Sequence, residues 1–474
     1  MQFGLPTAGD EDTGGPQRMR ARARIRELTR QAGPVIVARS AIMLMALVDT
    51  VMVGRYAAEE LAVLGLALTL VTTLLLTGIG LLMGTLVVTA ICYGRGDTAA
   101  CGVVWRRSLL YASVLGLGMA GICAFAQPIL RGLGQAPELA ARAAPVVGVL
   151  GLGLLPQLVY VTTQFFLEGI KRPVPGMLMM LVANGLNLAL NWLLVYGHLG
   201  LPAMGALGSA WATTVVRILL ATMAVLFVLT MADRKRYLAA DPLVAPPPAR
   251  LQRRLGYASG VSIGTEGAAF NTLGLFAGWL GAMPLAAYTI SLNLLAFVFM
   301  VAVGFGAATA VLVGAASGRG DRREARLAGW TGLAMATTVL AAIGIAVAAV
   351  PNAIVALYTD DPILAQTTAP LIVVLAFVFV VDGGQGVMAN AVRGMSDTWV
   401  ASGLHAAAFA FVMVPVAWLA AIVGQRGAVG LFEGMVVGCG TAWAVLAWRF
   451  WRLTSPGGSA GRNGERLSSI ARLG

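Results

Sequence analysis

The chain has 474 residues, of which 58% are hydrophobic and only 11% are charged, and its formal net charge is +12. A soluble domain needs a larger charged surface than this, so the composition excludes one and indicates that lipid surrounds most of the chain. The four cysteines are scattered and the two histidines belong to no metal signature, which disfavours a disulfide scaffold and a histidine- or metal-dependent enzyme.

Long apolar stretches recur along the chain. A membrane-spanning helix needs about 20 largely apolar residues, and twelve stretches meet this requirement. Runs of this length predict helices rather than the shorter alternating strands of a membrane barrel. The predicted spans are 34–54, 61–92, 106–127, 143–167, 174–197, 204–231, 257–279, 285–316, 327–350, 366–390, 398–423 and 427–450.

The basic residues follow the topology of these spans. Most Lys and Arg residues, including Arg393, fall in the terminal segments and in every second loop. Because cytoplasmic loops carry an excess of Lys and Arg, we expect a multi-pass protein of the bacterial inner (plasma) membrane with both termini in the cytoplasm. Topology and contact with anionic membrane lipid therefore explain the net positive charge, and no nucleic-acid partner is expected.

The chain also contains an internal repeat. Residues 54–97 align without a gap with residues 278–321, and both segments end in Gly-Arg-Gly-Asp. Since each half has an even number of spans, a pseudo-two-fold axis along the membrane normal should relate the halves. The predicted fold class is an all-α membrane protein with twelve transmembrane helices in two six-helix lobes and a central cleft. Its predicted parts are a cytoplasmic leader (1–30), an N-lobe with spans 1–6 (31–231), a cytoplasmic linker (232–256), a C-lobe with spans 7–12 (257–452) and a cytoplasmic tail (453–474).

Three acidic side chains lie inside predicted spans, namely Asp49, Glu266 and Asp382. An ionised side chain at the bilayer centre costs on the order of 3 kcal/mol, so each one should have a partner or a function. A carboxylate in a low-dielectric cavity binds H⁺ readily and is also a hard ligand for Na⁺, while an organic cation competes for its charge. We therefore interpret the three acids as cation-coupling groups; the alternative is a structural hydrogen-bond clamp between helices.

Polar side chains also indicate a substrate cavity. On spans 4 and 5, amide and phenol groups recur on one helix face, and one further amide lies a single turn from Asp382. Together with Asp49, the predicted cavity residues are Asn184, Asn187, Asn191, Gln157, Gln164, Tyr160 and Gln385. Such stripes either line an aqueous cavity or join two helices, and their coincidence with buried acids favours the cavity.

Two further charged residues in the first half of the chain lie within or at the end of apolar spans and should have partners. Glu168 ends span 4, where we expect it to form an ion pair with Lys171 or Arg172 at the cytoplasmic rim. Arg217 lies too deep in span 6 to reach water easily. We expect Arg217 to face the bundle interior and to pair with a carboxylate or with carbonyl groups at a helix end.

Several short motifs occur in a defined order along the spans. They are Val-Asp-Thr-Val-Met-Val-Gly at 48–54, Leu-Asn-Leu-Ala-Leu-Asn-Trp at 186–192, Gly-Ala-Leu-Gly-Ser-Ala at 205–210 followed by Ala-Thr at 212–213, and Val-Arg-Gly-Met-Ser-Asp-Thr at 392–398. In their order and spacing over residues 31–450, these motifs resemble the multidrug and toxic compound extrusion (MATE) family, specifically its bacterial NorM-like branch.

The resemblance implies a V-shaped, twelve-helix transporter that exports cationic amphiphilic compounds in exchange for H⁺ or Na⁺. Asp49, Asn187 and Asn191 match the polar site of the family's N-lobe. Glu266 and Asp382 match the acids of its C-lobe, where Na⁺ could bind. No cofactor beyond the coupling ion is expected, and we expect a monomer. The chain departs from the family pattern in two places: Ala258 replaces the proline that normally opens span 7, and no proline follows soon after Thr398.

Three alternatives remain open at this point. A lipid-linked precursor flippase of the same superfamily would have a strongly cationic cavity, for which only Arg217 gives any hint. The major facilitator superfamily shares the six-plus-six plan, but only Gly-Arg-Gly-Asp at 94–97 resembles its loop signature. A membrane-embedded enzyme would need a paired aspartate, Ser/His or metal constellation, and the sequence offers none.

Overall fold

The computed structural model describes residues 14–238, 247–359 and 361–455. The start of the predicted leader, part of the predicted linker and most of the predicted tail lie outside these residues. Twelve long helices account for most of the described chain. They are α1 (Gly14–Tyr56), α2 (Ala58–Gly94), α3 (Thr98–Ala124), α4 (Pro137–Leu152 and Leu154–Gly169), α5 (Val174–Tyr196), α6 (Gly205–Thr230), α7 (Ala249–Leu280), α8 (Ala282–Gly318), α9 (Arg322–Ala349), α10 (Pro362–Gly394), α11 (Thr398–Val423) and α12 (Gly427–Thr454).

These helices correspond one by one to the twelve predicted spans. Among the described residues, eleven helices are long and apolar enough to cross a membrane, and α7 is the predicted span outside that group. Glu266, Asn271 and several Ser, Thr and Gly residues make α7 more polar than the others. Its polarity follows from its position, because α7 packs between the two halves of the molecule and carries part of a buried polar site. The predicted all-α membrane fold is therefore confirmed.

The internal repeat has the same local structure in both copies. Gly96 and Gly320 adopt left-handed φ values of +80° and +75°, which end α2 and α8 in the same way. The following aspartates then cap the next helices: Asp97 accepts a hydrogen bond from the Ala100 amide at 2.9 Å, and Asp321 accepts one from the Glu324 amide at 2.8 Å. The repeated Gly-Arg-Gly-Asp sequence thus encodes one turn between consecutive helices.

A break divides α4 at Gly153, and α6 supplies hydrogen bonds to the exposed backbone there. Thr214 donates to the carbonyl of Val149 at 2.9 Å, and Arg217 donates to the carbonyl of Leu150 at 3.4 Å. Carbonyl groups at the end of a helix have no partner within that helix, so these bonds satisfy them. Arg217 therefore faces the bundle interior and bonds to a helix-end carbonyl, as predicted.

The two helices that lack the family prolines differ in their backbone structure. Helix α7 runs without interruption through Ala258, whose carbonyl accepts a hydrogen bond from Ser402 of α11 at 2.6 Å. Helix α11 contains two π-helical segments, Phe409–Met413 and Leu419–Val423, which flank a short α-helical turn with Pro415. Since proline lacks an amide hydrogen, a π-helical turn next to it relieves the lost bond locally.

The six helices of each half form a lobe, and the lobes meet along α1, α2, α7 and α8. Small residues allow close approach there: a Cβ atom on Gly80 would lie 2.8 Å from the Cα atom of Gly260, and one on Gly84 would overlap the carbonyl oxygen of Gln252. Gln252 also reaches into the N-lobe, where it accepts a hydrogen bond from Arg107 at 2.8 Å.

The interface between the lobes, formed by α1, α2, α7 and α8 and called the seam below, closes only one end of the molecule. Residues 84–92 of α2 and 304–316 of α8, at the end that carries both termini, are buried throughout. Toward the opposite end the same helices become exposed, with 49% of the Leu76 surface and 53% of the Phe297 surface accessible. The lobes therefore diverge away from the termini and form a V.

Candidate functional site

The N-lobe holds a buried carboxylate in a network from three helices. Asp49 of α1 is only 8% exposed. Its Oδ1 atom accepts a hydrogen bond from Asn191 of α5 at 2.7 Å, and its Oδ2 atom accepts one from Thr213 of α6 at 2.8 Å. No basic side chain forms an ion pair with it within the described parts of the chain. Neutral hydrogen-bond donors therefore hold this carboxylate in place.

Several buried polar atoms around Asp49 have no hydrogen-bond partner within the residues that the structure describes. Both polar atoms of the Asn187 amide, Oδ1 of Asn191 and the hydroxyl of Ser209 are buried without a partner among the described residues. Buried polar groups usually have partners, so this cluster is suited to binding water, a cation or part of a polar ligand. Thr213 and Ser209 were absent from the predicted site. Their spacing of four residues, which puts them on one face of α6, was a usable signal.

The predicted residues of α4 occupy a different place. Tyr160 donates to the carbonyl of Gly176 on α5 at 3.3 Å, and Gln164 donates to Glu168 at 3.0 Å. Both side chains are buried between α4 and α5: Tyr160 bonds across to α5, while Gln164 bonds within α4 and packs against Gly176. Gln157 is also buried, and Asn184 donates to the carbonyl of Met180 in its own helix at 2.9 Å. The structure thus brings Asn187 and Asn191 to Asp49, but not these four residues.

The predicted rim partners of Glu168 are wrong. Glu168 is 2% exposed and pairs with Arg39 of α1 at 3.7 Å, whereas Lys171 contacts Glu27 and Arg172 contacts Asp233. The reason is local: Lys171 has a φ of 62°, so the chain turns sharply after α4 and carries the basic side chains away from Glu168. Arg39 of α1 instead supplies the countercharge inside the lobe.

The C-lobe holds the second acidic cluster. Gln385 of α10 donates to Asp382 at 3.1 Å and to Glu266 of α7 at 3.2 Å, so one amide bridges both carboxylates. The thiol of Cys439 on α12 also contacts Asp382 at 3.6 Å. Asp382 is almost completely buried, while Glu266 is partly exposed. All three predicted residues of this lobe are therefore in one place.

The geometry of this cluster bears on Na⁺ binding. Among the described residues, no three His, Cys, Asp or Glu side chains lie close enough together to hold a metal ion. The Oε1 atom of Gln385 is buried without a partner, and rotating that amide by half a turn would direct Oε1 toward the carboxylates. Two carboxylates and one amide oxygen are hard ligands of the kind that Na⁺ prefers. The cluster can equally hold a proton.

A buried arginine with two polar neighbours lies next to these acids, and its position differs from the predicted one. Arg393, expected in a cytoplasmic loop, lies within α10 and is 7% exposed. Its Nη2 atom donates to Ser262 of α7 at 3.2 Å, and the Ser262 hydroxyl is 2.6 Å from Nδ1 of His405 on α11. Arg393 is in the last turn of α10, which ends at Gly394, and neighbouring polar groups solvate its guanidinium there. Sequence reasoning missed Ser262 and His405, because single hydroxyls are common in membrane helices and the histidine belongs to no motif.

The two carboxylate sites lie at different depths. Asp49 is seven residues from the end of α1 at the open side, or roughly 10 Å along the helix axis, whereas Glu266 is fourteen residues from the corresponding end of α7, or roughly 21 Å. The site in the N-lobe is therefore near the open end of the cleft, and the site in the C-lobe is close to the middle of the molecule.

The fold has two helical lobes around a cleft, and each lobe holds a carboxylate that forms no direct ion pair among the described residues. This arrangement is that of a multi-pass membrane transporter. Comparisons with known proteins identify its family. The MatE family model matches residues 34–193 and 261–419, once in each lobe. The chain belongs to the MatE family.

Related sequences cover most of the chain. It is 37% identical over 432 residues to a probable multidrug resistance protein NorM from Caulobacter vibrioides, which covers 90% of this chain and 92% of that protein. It is 30% identical over 454 residues to the multidrug resistance protein PmpM from Pseudomonas aeruginosa, with 92% of each covered.

Solved structures share the fold at low sequence identity. A MATE crystal structure in the bent conformation gives a TM-score of 0.82 at 20% identity and covers 98% of this chain and 99% of that one. The eukaryotic MATE transporter AtDTX14 gives a TM-score of 0.82 at 19% identity, with 94% and 99% covered. The V-shaped arrangement expected from the motifs is therefore confirmed.

Proposed function

We propose that this protein exports cationic amphiphilic compounds, including drugs, across the bacterial inner membrane in exchange for inward-moving H⁺ or Na⁺. One observation carries the proposal. Asp49, Glu266 and Asp382 lie within the spans without an ion-pair partner in the described residues, whereas the other buried acid, Glu168, pairs with Arg39. A carboxylate outside any direct ion pair keeps oxygen atoms available to a mobile cation.

The closed end of the molecule supports an orientation for this exchange. Basic loops lie at the end where α1 begins and α12 ends, which supports a cytoplasmic location for that end. The cleft then opens to the outside in this conformation. In the proposed cycle, an external cation binds Asp49 or the Glu266–Asp382 pair and neutralises it, which weakens the hold on a cationic substrate. The substrate leaves, the lobes reopen toward the cytoplasm, and release of the cation restores the negative charge.

The names of the relatives agree with this proposal, since both sequences described above are named multidrug resistance proteins. The flippase alternative has less support. It needs a cationic cavity, but Arg217 donates to the carbonyl of Leu150 at the break in α4. That bond gives Arg217 a structural partner. We therefore place substrate recognition at the carboxylates.

Charge-neutral, nearly isosteric variants test the proposal. Asp49→Asn, Glu266→Gln and Asp382→Asn should reach the membrane at normal levels but lose drug resistance and ethidium efflux. Asp397→Asn is the matched control, because Asp397 pairs with Arg449 at 2.6 Å near the closed end and should be dispensable for exchange. Counterflow in proteoliposomes under separate pH and Na⁺ gradients identifies the coupling ion. Full efflux by all three variants would refute the mechanism.

A further inference from the structure

The buried guanidinium of Arg393 lacks an obvious countercharge. Within the described residues, no Asp or Glu lies within ion-pair distance of it. Its neutral contacts are the Ser262 hydroxyl at 3.2 Å and the side-chain oxygen of Asn390 at 3.4 Å. A buried charge with neutral contacts alone is costly, so nearby opposite charges must contribute to its stability.

The acids of the C-lobe are the nearest candidates for that role. Ser262, which binds Arg393, precedes Glu266 by four residues and therefore lies one turn away on the same face of α7. Asp382 lies on the same helix as Arg393 and connects to Glu266 through Gln385. Three ionisable groups of opposite sign thus share one buried region, with two negative charges and one positive charge when both carboxylates are ionised.

The surrounding helices add few other charges. Cys439 of α12 contacts Asp382, and His405 of α11 contacts Ser262. Helix α8, which packs along α10, has Tyr288 as its one ionisable side chain, and α9 carries its charges only in its first two turns. Asp397, which follows α10, pairs with Arg449 of α12 at 2.6 Å, so these two charges largely cancel each other. The balance of charge in this region therefore depends mainly on Glu266, Asp382 and Arg393.

We propose that Arg393 is a resident counter-cation of the Glu266–Asp382 pair, so that one mobile monovalent cation is enough to neutralise the site. This inference rests on the proposed coupling role of the two acids. The fixed positive charge has a second consequence, because it repels the mobile cation and so favours its release. Arg393 acts through the carboxylates as a positioning residue and does not itself bind substrate. The bond from Ser262 to His405 holds the Ser262 hydroxyl in place for Arg393.

The experiment measures how efflux depends on cation concentration in proteoliposomes. Glu266 is one turn of α7, or about 6 Å, from Ser262, which binds Arg393, and this puts the charges of Glu266 and Arg393 about 8 Å apart. A unit charge at that distance, with an effective dielectric constant of about 20, changes cation affinity by at least roughly tenfold. Arg393→Gln should therefore lower the half-saturating concentration of H⁺ or Na⁺ by about that factor and slow turnover, because release is harder. Arg393→Lys keeps the charge and should restore the original dependence. Arg449→Gln, in the same lobe but paired with Asp397, is the control and should not shift it.

The outcomes separate the inference from the function on which it rests. If Glu266→Gln and Asp382→Asn change the cation dependence but Arg393→Gln leaves it within twofold of the parent, the resident-cation role is overturned and the proposed function stands. If neither acid variant changes the dependence, the proposed function fails. Should Arg393→Gln not fold, the charge-balanced double variant Glu266→Gln/Arg393→Gln is compared with Glu266→Gln. The cation affinity at Asp382 should then rise by a smaller factor, because Asp382 is eleven residues, or roughly 16 Å, from Arg393 along α10. No rise in affinity rejects the proposal.

Discussion

Adding one methyl group at Gly84 should open the closed end of the molecule. A Cβ atom there would overlap the carbonyl oxygen of Gln252, a backbone atom of α7 that cannot move without its helix. The opposite contact is equally tight, since a Cβ on Gly256 would overlap the carbonyl oxygen of Leu81. In Gly84→Ala the two helices must therefore separate by about 1 Å to restore ordinary van der Waals contact.

The magnitude follows from the cost of overpacking. Extra carbon atoms in a well-packed interior cost about 1–3 kcal/mol. A penalty of about 2 kcal/mol, paid only when this end is closed, changes the ratio of the closed to the open form roughly 30-fold. Gly65→Ala makes the same chemical change in the same helix, but a Cβ there meets nothing within 4 Å. This control should leave the ratio unchanged.

Spin labels at Arg95 and Arg319 report on this opening, because both residues are exposed at the closed end and lie in equivalent turns of the two lobes. The four native cysteines are buried, which limits background labelling. We expect a longer distance population in Gly84→Ala, together with reduced drug efflux, and the parent distribution in Gly65→Ala. Identical distributions in the two variants would show that the glycine contact does not hold the lobes together.

Two further predictions concern stability, measured by thermal unfolding in detergent. Asp97→Ala and Asp321→Ala should each lower the free energy of unfolding by about 1 kcal/mol, and by the sum in the double variant, because the caps are equivalent and share no hydrogen-bond partner; clearly unequal losses would contradict the equivalence. The hydrogen bonds from Arg172 lower the pKa of Asp233 below its ordinary value, so this pair stabilises the protein at neutral pH and the effect disappears as the pH falls through the lowered pKa. Asp233→Asn should remove that pH dependence, with a loss below about 1 kcal/mol at neutral pH because the pair is partly exposed; an unchanged acid limb would contradict it.

Hydropathy was sufficient to predict the spans and the acids within them. The cost of placing a charge in lipid is large, so each apolar run and each exception to it is visible in the sequence. The repeat could be predicted for a similar reason, since Gly at a left-handed position and Asp at a helix cap are local requirements. The two copies, at 94–97 and 318–321, indeed form the same turn.

Partners on other helices could not be predicted in this way. For Glu168, proximity in the sequence favoured Lys171 or Arg172 as the partner, while the fold supplies Arg39 from α1. For Arg393, the alternation of basic loops indicated a loop position, but the residue lies in the last turn of α10 and its side chain is buried. Hydroxyl and imidazole groups on α7 and α11 solvate that charge, and only the packed structure brings them there.

The positions of the acids suggest how cation binding could move the lobes. Asp49 lies on α1, which also packs against α8 so closely that a Cβ on Gly304 would lie 3.0 Å from the backbone nitrogen of Ile36. Glu266 lies on α7, which meets α2 at Gly256. The helices that carry these two carboxylates are thus the ones whose contacts close the end near the termini. In the proposed exchange, a change of charge on either acid would alter the hydrogen bonds that hold its helix within its own lobe. Movement of that helix would then act on the contacts of α1 with α8 or of α7 with α2, which must separate for the cleft to open on the other side.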